Sequence, residues 1–156
     1  RFVTIDKLSK HNQRLDAMNY CVLGFPEKNI KFDNGKLDTG ASFYLTSASN
    51  LKPYEHYGFS ESDFFLVDMK GKGTDIKTGE KSKVNTHFYG ISGCGLWYID
   101  FNIDPVTKEY WADYRLIGIM TEFKKGKYFC LVANKIHLYL DAFKVIEGFE
   151  FREKKK

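Results

Sequence analysis

The residues best suited to chemistry stand in Tyr89-Gly90-Ile91-Ser92-Gly93-Cys94-Gly95-Leu96-Trp97, where one serine lies among three glycines and leads into an apolar stretch. A serine hydroxyl is a poor nucleophile at neutral pH and attacks a carbonyl only when a base takes its proton. The attack also needs donors aimed at the oxygen that becomes negative, worth about 3 to 4 kcal/mol for one well-placed donor. Glycine admits backbone conformations denied to other residues, so successive N–H groups of a Gly-x-Ser-Gly turn can point into one pocket. The spacing therefore offers acyl transfer, with Ser92 as nucleophile and the backbone N–H groups of Gly90 and Ser92 as an oxyanion hole. This chemistry calls for no metal and no cofactor. The competing reading is a glycine-rich bend in which Ser92 is merely small, and the surrounding elements must decide between the two.

Those elements read as short strands. Tyr20-Cys21-Val22-Leu23-Gly24-Phe25-Pro26 is an apolar run stopped by Gly and Pro, and Asp33-Asn34-Gly35-Lys36 carries the Asn-Gly hairpin signal. Alternation continues in Ala41–Thr46, and Phe64–Met69 is a further strand. Lys70–Gly73 and Lys77–Lys81 read as polar turns. Beyond the serine, Leu96–Phe101 passes through an Asp104-Pro105 turn to Tyr114–Met120, and Lys124–Lys127 turns the chain into Tyr128–Val132. The period changes only at the end, where Ile136, Leu140 and Phe143 recur at helical spacing, with Asn134 as N-cap and Gly148 near the stop. Roughly six or seven strands followed by a helix predict an all-β fold, an antiparallel β-barrel with a C-terminal α-helix.

The 156 residues predict one main domain and carry a formal charge of +4, with much of the excess in the terminal Arg152-Glu153-Lys154-Lys155-Lys156. That run reads as a solvated tail, and no nucleic-acid module accompanies it, so nucleic acid is not an expected partner. No apolar segment is long enough to span a bilayer, so no membrane association is expected. Three cysteines, Cys21, Cys94 and Cys130, form an odd set without metal-type spacing, which favours a reducing, cytoplasmic setting. Cys21 and Cys130 lie in apolar runs, where a thiol serves as a small hydrophobe.

Taken together, Val22-Leu23-Gly24-Phe25-Pro26, Gly90-Ile91-Ser92-Gly93-Cys94-Gly95-Leu96, Leu116-Ile117-Gly118-Ile119 and a closing helix resemble the C-terminal barrel of trypsin-like serine peptidases of the chymotrypsin fold. In that family a Gly-Tyr/Phe-Pro turn precedes a Gly-x-Ser-Gly-Gly motif, a Gly-Ile strand flanks the substrate pocket, and a helix ends the domain. The resemblance runs from about Tyr20 to Ile146. It implies that residues 1–19 are a connector, 20–148 the barrel with its helix, and 149–156 a basic tail. Ser92 matches the nucleophile, and Gly90 and Ser92 the donors of the oxyanion hole. Met120, Thr121 and Glu122 match the strand that pairs with substrate backbone. Thr86, His87 and Tyr89, just before the serine, would line the opposite wall. The implied substrate is a peptide or protein, and no acidic residue at the wall supports a preference for Lys or Arg.

Two positions depart from the family pattern. Ile91 stands where secreted digestive members carry an aspartate that pairs with a newly cut N-terminus, so the likeness is to the intracellular and bacterial branches. Cys94 replaces the second glycine, one small residue for another. The family also takes its histidine and aspartate from a first barrel, so the resemblance implies a first-barrel segment carrying both, upstream of this chain. Among the four histidines, His11 lies in the polar connector, His56 in a loop and His137 on the terminal helix, none in the setting of a triad base. Asp6 and Asp16 lie too close to the connector to serve as the acid. Three readings stay open: the serine-bearing half of a peptidase, a peptidase-like module that binds peptide without cleaving it, and a compact peptidase using His11 or His56.

Overall fold

The computed structural model describes residues 4–24, 30–33, 36–39, 42–69, 72–74, 79–83 and 90–147. In chain order the elements are β1 (Tyr20–Gly24), β2 (Ile30–Asp33), β3 (Lys36–Thr39), β4 (Ser42–Thr46), α1 (Leu51–Tyr57), β5 (Phe64–Asp68), β6 (Lys72–Thr74), β7 (Lys81–Lys83), β8 (Gly95–Ile103), β9 (Tyr110–Lys124), β10 (Cys130–Lys135) and α2 (Ile136–Glu147). Six of the strands form one antiparallel sheet in the order β4-β1-β8-β9-β10-β5, and β2-β3 and β6-β7 are separate hairpins. The sheet curls into a half-barrel followed by the C-terminal helix.

The two edges of the sheet approach each other through the residues that follow β4. Asp68 donates its backbone N–H to the Ser47 carbonyl at 3.0 Å, Ser49 donates to the Leu66 carbonyl at 2.9 Å, and Ala48 bridges Val67. Side chains reinforce the seam: the Ser49 hydroxyl donates to an Asp68 carboxylate oxygen at 2.5 Å, and the Thr46 hydroxyl donates to the Asp68 carbonyl. Buried hydroxyls at a seam cost desolvation unless bonded, and here they are bonded. Inside the curl, Tyr20, Val22, Phe65, Val67, Ile91, Leu96, Ile117, Met120, Leu131 and Ala133 form one core. Alternation along each strand supplies that inner face.

The connector is fastened to this body. Ser9 donates its N–H to the Leu116 carbonyl, Ala48 donates to the Leu15 carbonyl, and the Tyr20 hydroxyl accepts from Leu15 N–H while donating to the Gln13 carbonyl. Lys135, 6% exposed, donates its ammonium to Asn12 Oδ1 at 2.9 Å.

Three local expectations are corrected. The segment around His56 is not a loop but the helix α1. Asn50 caps it by accepting from Lys52 N–H, and Gly58 ends it in the left-handed region at φ 71°. Pro53 sits in the first turn, where its missing N–H breaks no helical bond. Asn134 does not cap the final helix: it lies in β10, opposite Phe64 and Ile119, and the helix starts at Ile136. Lys72 and Gly73, expected in a polar turn, lie in β6, with Lys72 opposite Lys83 and Thr74 opposite Lys81, while residues 70–71 and 75–78 lie outside the described residues. Gly148 lies outside the described residues.

Candidate active site

The serine turn is built where β8 begins. Cys94 donates its N–H to the Ile91 carbonyl at 3.0 Å, closing a four-residue turn around Ser92 and Gly93. Gly93 has φ +87°, as the third position of a type II turn requires, and Gly90 has φ +83°. Both values lie where a Cβ is penalised, so the two glycines on either side of Ile91-Ser92 are set by backbone geometry. Ile91 is 2% exposed and drives into the core, while Ser92 and Gly93 are turned to solvent.

Strand β9 holds the turn from the other side. The Gly93 N–H donates to the Met120 carbonyl and the Met120 N–H donates to the Cys94 carbonyl, both at 2.8 Å. Met120 itself is fully buried. Its backbone is therefore occupied by the turn, and of the three residues matched to a substrate-pairing strand only Thr121 and Glu122 extend beyond it. Thr121 is the extra residue of a bulge where Met120 faces Ala133 and Glu122 faces Val132, and its hydroxyl donates to the Val132 carbonyl at 3.3 Å. Glu122 forms an ion pair with Lys124 at 2.7 Å on a partly exposed surface.

Cys94 and Gly24 lock the turn to β1. A Cβ placed on Gly24 would lie 2.0 Å from Cys94 Sγ and 2.9 Å from Cys94 Cβ, so the thiol occupies the space a side chain at 24 would need. The Cys94 thiol also lies 3.6 Å from the Gly90 carbonyl, toward which it donates. The small-residue reading of Cys94 is thus given a definite contact. The sequence contained its signal in the pairing of Gly24 with a cysteine, but a contact between residues so far apart in the chain is invisible until β1 and β8 are in register.

Among the described residues, neither the Ser92 hydroxyl nor the backbone N–H groups of Gly90 and Ser92 have a hydrogen-bond partner. Thr86, His87 and Tyr89, the expected opposite wall, lie outside the described residues.

Among the described residues, the contacts of His11 and His56 are with aromatic side chains and not with Ser92. His11 stacks on Tyr98 at a centroid distance of 4.3 Å and places Nε2 3.1 Å from the Tyr20 hydroxyl. Tyr20 faces Tyr98, three residues along the strands from the Leu23–Gly95 pair, which is roughly 10 Å at the rise of a strand. Burial pushes the His11 imidazole below its usual range, with Lys135 adding in the same direction. His56 lies on α1, edge-on to Tyr57 and Tyr128, and α1 packs by Tyr54 against Leu66 and Val132 of the β5–β10 side. His137 is on α2. The compact peptidase using His11 or His56 thus gains no support from a histidine contact with Ser92 among the described residues.

Among the described residues no group of His, Cys, Asp and Glu is arranged to hold a metal ion, and no helix is long and apolar enough to cross a membrane. No family model, no curated protein and no solved structure matches this chain.

Proposed function

We propose that this chain is the serine-bearing half of a trypsin-like peptidase, in which Ser92 forms an acyl-enzyme with a peptide carbonyl and the Gly90 and Ser92 N–H groups receive the oxyanion. The observation that carries the reading is the turn itself. An exposed serine stands between two glycines of positive φ, with its own N–H and that of Gly90 lacking partners among the described residues, on a loop clamped at Met120 and at Gly24. A rigid clamp of this kind is what preorganised donors need, because a hole that reorganises during the reaction loses its advantage. A base remains to be supplied, and the family resemblance assigns it to a first-barrel segment carrying His and Asp. A peptide would lie along Thr121 and Glu122, with Thr86, His87 and Tyr89 opposite.

The test is labelling by a fluorophosphonate probe in the longest natural form of the protein, read by mass spectrometry at Ser92. Labelling that disappears in Ser92→Ala is expected; a folded, full-length protein that stays unlabelled overturns the proposal. The second reading, a peptide-binding module, is favoured by the distance between His11 and the serine turn within the present chain. It predicts peptide binding by this chain that survives Ser92→Ala, through strand addition at a sheet edge, and turnover by this chain alone would exclude it.

A further inference from the structure

The part of β8 and β9 beyond Ile99 and Tyr114 has one face whose own side chains are apolar or aromatic, with the Lys7 ammonium lying 4.7 Å from the centre of the Tyr114 ring. Opposed pairs there are Ile99–Tyr114, Phe101–Ala112 and Ile103–Tyr110, continuing the Trp97–Leu116 pair. Phe101, Ile103, Tyr110 and Tyr114 are between 51% and 82% exposed. The charged residues Asp100, Asp113 and Arg115 alternate onto the opposite face, because side chains of a strand alternate. The apolar face is the outer face of the sheet and continues through Cys21 onto Leu23 and Phe43, which face each other and are 40% and 49% exposed. A barrel-like sheet with its core inside has no need of an apolar exterior, and a patch of this kind marks an interface.

We infer that this outer face is the interface of a two-fold symmetric dimer, in which the Phe101–Tyr110 end of one copy packs on Leu23 and Phe43 of its partner, and the reverse. Self-association fits for three reasons. A two-fold contact must be compatible with itself, and the cation over this face, Lys7 on the Tyr114 ring, is paired with Asp113 at 2.8 Å, so it does little to repel a second copy. With aromatic side chains of roughly 150–250 Å² each, the exposed parts of Leu23, Phe43, Phe101, Ile103, Tyr110 and Tyr114 amount to about 600–700 Å² per copy. That approaches the roughly 800 Å² per partner of a standard interface before any polar rim is added. Finally, the two exposed ends lie on either side of Trp97 and Ile99, so an axis near those residues brings each end onto the other. A bilayer is the poorer occupant, because the hairpin carries Asp100, Asp104, Glu109 and Asp113 against Lys108 and Arg115, the wrong balance for an anionic surface. The inference does not depend on the chemistry of Ser92.

Sedimentation velocity across about 1 to 200 μM is the experiment. The wild-type chain is expected to dimerise, and Phe101→Glu and Phe43→Lys are each expected to weaken the dimer at least tenfold. An equimolar mixture of those two variants is expected to form a heterodimer, because one contact then pairs Glu with Lys and the other keeps both phenylalanines. Trp111→Lys, on the opposite face of the hairpin, is expected to leave the dimer intact. Near-UV circular dichroism checks folding, and Tyr110→Glu, at the most exposed of these positions, replaces Phe101→Glu if that variant unfolds. A monomeric wild type, variants that dimerise as tightly as wild type, or a mixture that stays monomeric overturns the inference. So does binding of a monomer to phosphatidylcholine vesicles.

Discussion

Gly24 and Cys94 show how little room the serine turn leaves. Gly24→Ala drives a methyl into the Cys94 thiol and is expected to destabilise the fold by roughly 1–3 kcal/mol, the usual cost of overpacking. Cys94→Gly in the same chain should recover part of that loss, and a coupling above about 0.5 kcal/mol in a double-mutant cycle of urea melts checks the contact. Gly93→Ala faces a different penalty, since φ +87° costs a side chain about 1–2 kcal/mol. Here no second-site change is expected to rescue it. The two other thiols behave differently again. Burial raises Cys21 to about 12 and Cys130 to about 11, so iodoacetamide at neutral pH should leave both unmodified in the native protein and reach them only on unfolding. The Gly-x-Ser-Gly motif was legible in the sequence because glycine at those positions is demanded by local backbone geometry. The support given by Met120, Gly24 and Cys94 was not, since it arises from register between strands.

At the level of elements, the six strands of the main sheet were legible because each alternates or is uniformly apolar between turn residues. The helix α1 was hidden by its brevity and by Pro53, which reads as a breaker although it is harmless in a first turn. Its cap makes a clean test: Asn50→Ala removes the acceptor for Lys52 N–H and should cost about 1 kcal/mol. The length of β9 was also underestimated, because Tyr110-Trp111-Ala112-Asp113 lacks the clean alternation of a half-buried strand. The connector carries the pH dependence. His11 is held neutral by burial, so its folded-state affinity for a proton is below that of the unfolded chain. The resulting stability is complete above the unfolded value near 6.5 and declines as pH falls through that value toward the lower folded one. The unfolding free energy from urea melts should therefore drop between pH 7.5 and 5.5, by less than about 1.4 kcal/mol per pH unit for a single proton, and His11→Gln should flatten that slope. Asp113, held at about 2 by Lys7 and Arg115, titrates far below this window and does not contribute to it.

Across the whole molecule the chain returns to distant partners. β1 pairs with β8 and β5 with β10, whereas β8, β9 and β10 follow one another as a meander. The seam between the residues after β4 and β5 closes the curl, and Ser49, 1% exposed, gives its hydroxyl to Asp68 there. Ser49→Ala leaves that carboxylate short of a donor and should cost roughly 1–3 kcal/mol, visible as faster amide exchange in β5. Barrel-like architecture could be anticipated from strand count and turn spacing, but the order of strands could not, because apolar alternation says which face is buried and not which neighbour lies beside it. The same connectivity has a temporal side. Contacts near in sequence close at smaller entropic cost than distant ones. The turn around Ser92 takes two of its bonds from Met120, within the meander, and its contact with Gly24 from far upstream. Gly24→Ala is then expected to speed unfolding with little effect on the refolding rate, whereas substitution of Met120 slows refolding. The loop that carries the serine would thus take shape on its own meander before the strand that locks it arrives.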